Sequence, residues 1–145
     1  RLDALRALSA AGIPAMAMVA PIIPALNDAE IERILDAVAF AGASSANYVL
    51  LRLPLEVRDL FREWLLAHYP DRYRHVFSLI RDMRGGRDYD SAWGTRMKGT
   101  GPLAWMIGRR FEIACERLGL NKKRTKLSLA HFAPPAKLNP QLSLF

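Results

Sequence analysis

The sequence predicts an α/β fold in which two parallel strands lie under helices and a mostly helical second half follows. Three observations carry this. The first 53 residues read helix, strand, helix, strand. Both strand-like runs are apolar at successive positions, the pattern of strands covered on both faces rather than one. After Pro54 the apolar period changes to that of amphipathic helices. With 145 residues, 51% of them hydrophobic, the chain is long and apolar enough for one packed domain and too short for two of ordinary size. No apolar run reaches the roughly 18 residues of a membrane span, and no signal-peptide pattern opens the chain.

Residues 1–11 place Leu2, Leu5 and Leu8 on one side of a helix, closed by Gly12 with Pro14 beyond it. AMAMVA (15–20) is the first strand, and Pro21 and Pro24 bound the loop PIIPALN. Asn27 suits an N-cap, with Asp28 and Glu30 in the first turn where they favour the helix dipole. Ile31, Ile34, Leu35 and Val38 then recur at helical spacing until Gly42. NYVLLRL (47–53) is the second strand, apolar on both faces until Arg52. Two parallel strands leave open hydrogen-bonding edges and do not stand alone. The chain also opens at Arg1, inside a helix and without a methionine. The expectation is a piece of a longer protein, its missing strands supplied by upstream sequence or by another chain.

In the second half, Val57, Leu60, Phe61, Trp64 and Leu65 form one stripe of a helix over 55–69. After Pro70, residues 71–84 repeat the pattern with Tyr73, Val76, Phe77, Ile80 and Met83. A glycine-rich, charged connection runs from Gly85 to Gly101. A last helix over 102–118 turns Leu103, Ile107, Phe111, Ala114, Cys115 and Leu118 inward and ends at Gly119. Residues 133–140 (APPAKLNP) read as an extended linker before the terminal QLSLF. The expected organisation is βα units over 1–54, a helical extension over 55–132, and a linker with tail motif over 133–145.

Charge is uneven. Residues 1–69 carry 6 basic and 8 acidic side chains, a balance of −2; residues 70–145 carry 15 and 6, a balance of +9, which together give the net +7. A basic half suits a polyanion, nucleic acid first, or is simply a solvated surface. Within it, Arg84, Arg87, Arg96 and Lys98 are candidate phosphate ligands, with Gly99 and Gly101 opening a helix whose N-terminus favours anions. KGTG lacks the P-loop pattern, so nucleotide hydrolysis is not implied. Trp93 and Tyr89 offer stacking surfaces for a base, or Trp93 anchors a long loop to the core. Lys122, Lys123, Arg124 and Lys126 form a second basic cluster, suited to phosphate or to solvent.

Ligands of parallel sheets sit at the carboxyl ends of the strands. There lie PIIPALN, stiffened by two prolines, and the second strand's Arg52 and Pro54. Arg52 is placed for a substrate phosphate or for a salt bridge to a rim carboxylate. The single cysteine, Cys115, fits a reducing cytoplasm and, on an apolar helical stripe, reads as a buried inert thiol. His68, His75 and His131 show no metal-ligand spacing.

The segments AGIPAMAMVAPIIPALNDAEIERILDAVAFAGA and YVLLRLPLEV resemble the fifth-to-sixth strand region of radical S-adenosylmethionine proteins. The nearest group is the bacterial spore photoproduct lyase-like set, and the likeness continues through RDMRGGRDYDSAWGTRMKGTGPLA and RRFEIACERLGLN to QLSLF. Ala25 stands where that family commonly has glycine, which asks for a non-glycine backbone angle. The resemblance implies the C-terminal part of a partial (β/α)6 TIM-like barrel. It implies a four-iron four-sulfur (4Fe-4S) cluster on an upstream CxxxCxxC loop, with S-adenosylmethionine cleaved reductively to a radical that abstracts hydrogen. It places Ala20, Pro21, Ile22 and Asn27, with Leu51, Arg52 and Leu53, beside the adenosyl group. The cluster cysteines are not in this sequence, so the chain alone is expected to hold no cluster and to be inactive.

QLSLF resembles the pentapeptide by which bacterial polymerases and repair proteins dock on the replication sliding clamp. Gln141 would hydrogen-bond, while Leu142, Leu144 and Phe145 would fill an apolar pocket; the alternative is a strap packed on the protein's own surface. The expected function is therefore the C-terminal part of a radical enzyme acting on DNA, lyase-like and in repair. The alternative is a non-catalytic basic module that binds nucleic acid or the clamp. Radical chemistry on RNA or on a protein is a third reading.

Overall fold

The computed structural model describes residues 1–122 and 128–134. In chain order it shows α1 (Leu2–Ala10), β1 (Met16–Ile22), a 3-10 turn (Asp28–Glu30), α2 (Ile31–Phe40), β2 (Ser45–Leu50), α3 (Val57–His68), α4 (Tyr73–Asp82) and α5 (Gly101–Leu118). The fold is mixed α/β, and β1 and β2 form a two-stranded parallel sheet, as expected. Ala17 pairs with Ala46, Val19 with Tyr48 and Ile22 with Leu50, with an irregularity between Val19 and Ile22. The irregularity falls at Pro21, which has no N–H to give the ladder. β1 thus runs two residues into the segment expected to be loop, and β2 begins and ends earlier than expected.

One face of the sheet is covered. Val19, Ile22, Ala46, Tyr48 and Leu50 pack with Ile31 and Leu35 of α2 and with Ile107, Phe111, Ala114 and Cys115 of α5. Burying a side chain such as Leu35 contributes about 2 kcal/mol, so this cluster is the main stabilising element. The opposite face is bare: Met16 and Met18 are 59% and 51% exposed, and Asn47 is exposed. Apolar runs were expected to be covered on both faces; here they alternate. α1 contributes no buried residue and touches the core through half-buried Leu5.

The two edges of the sheet differ. Along β2, Leu50 N–H donates to the Met97 carbonyl at 2.9 Å. The Asn121 side chain acts as a strand substitute, accepting from Ala46 N–H at 2.9 Å and donating to the Ala46 carbonyl at 3.0 Å. Along β1, no further strand pairs among the described residues.

A second cluster joins Leu53, Leu65, Val76, Phe77 and Ile80. In α4 the expected inward stripe is buried at Val76, Phe77 and Ile80. In α3 it is not: Leu65 is buried, whereas Val57, Leu60 and Trp64 are exposed. Two local expectations are also corrected. Asn27 makes no side-chain capping bond; its Oδ1 accepts from Ile23 N–H at 2.7 Å and its Nδ2 donates to the Pro21 carbonyl at 3.0 Å, which ties the loop to itself. Ala25 has φ +60°, so the left-handed angle that favours glycine is kept despite the Cβ.

Candidate functional site

The carboxyl ends of the strands meet as the sequence predicts, through Leu51 N–H donating to the Ile22 carbonyl at 2.9 Å. Ala20 and Pro21 are exposed, Asn27 and Leu51 half-buried, and Ile22 and Leu53 lie inside the two apolar clusters. What Ile22 and Leu53 can offer a ligand is therefore backbone, not side chain. Arg52 forms no ion pair with a rim carboxylate among the described residues. It donates to the Tyr89 hydroxyl at 3.0 Å, lies near Met97 Sδ at 3.8 Å, and leaves Nε buried without a partner.

Arg84 is corrected outright as a phosphate ligand. It is buried, and its guanidinium donates to the carbonyls of Thr95 (3.0 Å), Arg96 (2.9 Å) and Leu51 (2.9 Å). Burial pushes its pKa down, and the nearby Asp90 charge opposes that. It clamps the 85–98 connection to the end of β2. Of the other candidates, Arg87 and Lys122 are exposed. Arg96 stacks on Trp93, its guanidinium carbon 3.9 Å from the ring centroid, and Trp93 is 85% exposed, so it does not anchor the loop to the core. Lys123 and Arg124, and the tail residues Gln141, Leu142, Leu144 and Phe145, lie outside the described residues.

The sequence marks Lys98, Gly99 and Gly101 for an anion, and the fold brings to them Tyr48, Trp105 and Glu112, which it does not mark. A cleft of about 300 Å³ opens between β2, the start of α5 and the residues before it, lined by Tyr48, Lys98, Gly99, Thr100, Trp105 and Glu112 among others. Gly99 is required where the floor closes: with φ +70°, a Cβ there would lie 3.0 Å from the Met83 carbonyl and 3.1 Å from Leu50. Lys98 Nζ donates to Asn47 Oδ1 at 2.7 Å and sits 3.3 Å from the Tyr48 ring centroid. Burial pushes the Lys98 pKa down, partly opposed by Glu112. Burial, with help from the Glu112 charge, pushes the Tyr48 hydroxyl up, so it stays a proton donor.

An iron–sulfur cluster of the implied kind needs several thiolates. The chain has one cysteine, Cys115, buried on α5 with its thiol pushed up by burial. Its residues do not fit that group. Among the described residues no set of three His, Cys, Asp or Glu side chains is grouped for a metal. No described helix is long and apolar enough to cross a membrane.

No protein-family model matches the chain, and no solved structure does. It is similar to uncharacterized proteins of Mycobacterium bovis and Mycobacterium tuberculosis, 34% identical over 82 residues that make up 53% of this chain and 24% of theirs. The chain thus spans about a quarter of the length of the curated relatives it matches.

Proposed function

We propose that the chain is the C-terminal part of a radical S-adenosylmethionine enzyme that acts on DNA, with the clamp-docking peptide at its end. The observation that carries this is the inequality of the two sheet edges. The outer edge of β2 is closed by Met97 and Asn121, whereas the outer edge of β1 has no strand beside it among the described residues. That is the form of the final strand pair of a larger parallel sheet, extended on the β1 side. The bare face with Met16 and Met18 is then the inner face of a barrel, and α2 and α5 belong to its outer layer. Relatives much longer than the matched region support the same reading. In this arrangement the Pro21–Asn27 loop and Leu51–Leu53 stand at the mouth of the barrel, where ligands of such folds bind.

The test is made on the longer protein, reconstituted anaerobically with iron and sulfide and given reductant and S-adenosylmethionine. Release of 5′-deoxyadenosine, abolished by replacing the upstream cysteines, is the expected result. A longer protein without a three-cysteine loop would leave the basic binding module in its place. Clamp docking is read separately, by titrating an APPAKLNPQLSLF peptide with purified clamp.

A further inference from the structure

The cleft above β2 carries features that the radical reading does not use. Tyr48 is only 7% exposed, and its hydroxyl, which makes no hydrogen bond among the described residues, faces the open space of the cleft. Room has been made for it: Gly108 sits inside α5, where glycine costs about 1 kcal/mol against alanine, and a Cβ there would lie 2.7 Å from the Tyr48 oxygen. Lys98 is half-buried and forms no ion pair with a carboxylate among the described residues. Glu112, the acid of the cleft, is paired with Arg109 at 3.2 Å. The first turn of α5 opens on the same space. Thr100 at its N-cap makes no side-chain capping bond, which leaves the Gly101 and Leu103 N–H groups without a helical acceptor, Pro102 having none to offer. Trp105, 72% exposed, forms a flat apolar wall.

An ammonium, a phenol and the Gly101 N–H line this cleft together with the flat Trp105 ring, and Glu112, the one acid in its lining, is held by Arg109. We propose that this cleft binds a nucleotide unit, its phosphate on Lys98, the Tyr48 hydroxyl and the start of α5, and its base against Trp105. A phosphate supplies several acceptor oxygens and the negative charge that Lys98 and the helix dipole lack. A volume of about 300 Å³ lies at the small end of ligand sites and suits one nucleotide. The inference goes beyond the radical chemistry and does not depend on it, since every residue named is in this chain.

The purified protein, labelled with 15N, is titrated with thymidine 5′-monophosphate, thymidine and inorganic phosphate in parallel. Saturable binding of the nucleotide is expected, with the Gly99 and Gly101 amides shifting most. Thymidine and phosphate should each bind about tenfold more weakly. Lys98→Met and Trp105→Ala should each weaken the nucleotide about tenfold, and Tyr48→Phe, which removes one oxygen and keeps the packing, about fivefold. A short oligonucleotide with and without a 5′-phosphate distinguishes a strand end from a free nucleotide. Equal affinity for thymidine and its monophosphate, or an unchanged affinity in both Lys98→Met and Tyr48→Phe, would overturn the assignment.

Discussion

Arg84 shows how little a residue type fixes by itself. In the sequence it belongs to a basic run beside Arg87, Arg96 and Lys98 and looks like one more phosphate ligand. In the fold its planar guanidinium holds four carbonyls from two segments, Leu50 and Leu51 at and just past the end of β2 and Thr95 and Arg96 in the connection. Without it these carbonyls lose donors in a largely buried site, and an unsatisfied buried polar group costs about 1–3 kcal/mol. Arg84→Leu should therefore lower stability by about 3 kcal/mol, read as a drop in the urea midpoint. The amides of Leu50 and Gly99 should lose protection from hydrogen exchange at the same time. Arg84→Lys should recover little, since one ammonium on a flexible stem does not reproduce the fork. A loss under about 0.5 kcal/mol would mean that water replaces the guanidinium and the clamp is not structural.

Between elements, the contact best resolved in charge is the one joining α2 to α5. Arg110 donates through Nε to Glu32 Oε1 at 2.9 Å and through a terminal nitrogen to Oε2 at 2.7 Å, and also reaches the Asp28 carbonyl at 3.0 Å. The hydrogen bonds from Arg110 hold the Glu32 carboxyl below its ordinary pKa, against the cost of burial. The folded state therefore binds this proton less readily than the unfolded chain. Its stabilisation is complete above the ordinary glutamate pKa and is lost as pH falls through the lower folded value. The pair is partly exposed and screened by salt, so Glu32→Gln should cost about 1 kcal/mol at neutral pH. The variant and parent melting curves should converge in acid; an unchanged gap there would assign the loss to packing. Sequence periodicity made this scale the most legible. α4 and α5 bury the faces their spacing marks, because a 3.6-residue repeat of large apolar side chains has one economical solution. It misled at α3, where Val57, Leu60 and Trp64 stay exposed among the described residues; a pattern shows that a face exists, not what covers it. Tyr48 was hidden for a related reason. Inside an apolar run its ring reads as core, which it is, and only the glycine at position 108 within a helix hinted that its hydroxyl needed space.

For the whole molecule the open question is what lies along β1. A parallel strand with an unpaired edge, flanked by exposed Met16 and Met18 and preceded by a helix with no buried residue, is a template for another strand. The β2 edge offers no such template, since Met97 and Asn121 already occupy it. If upstream strands complete the sheet, the 145-residue chain purified alone should self-associate through β1, and the longer protein should not. Light scattering over roughly 5–200 µM, a range chosen to bracket weak association, should show a mass that rises with concentration. Met16→Lys and Met18→Lys together place charge beside the edge without touching the covered face, because both residues alternate away from Val19. The doubly substituted chain should stay monomeric with its melting temperature little changed. Charge at Leu60 and Trp64 on α3 serves as the control, since that face is also apolar and exposed. If those substitutions abolish association and the β1 pair does not, the sticky surface is α3 and the edge is not a strand acceptor. A chain that is monomeric at every concentration and melts cooperatively would show that two strands suffice here, and the barrel reading of residues 1–54 would fall with it.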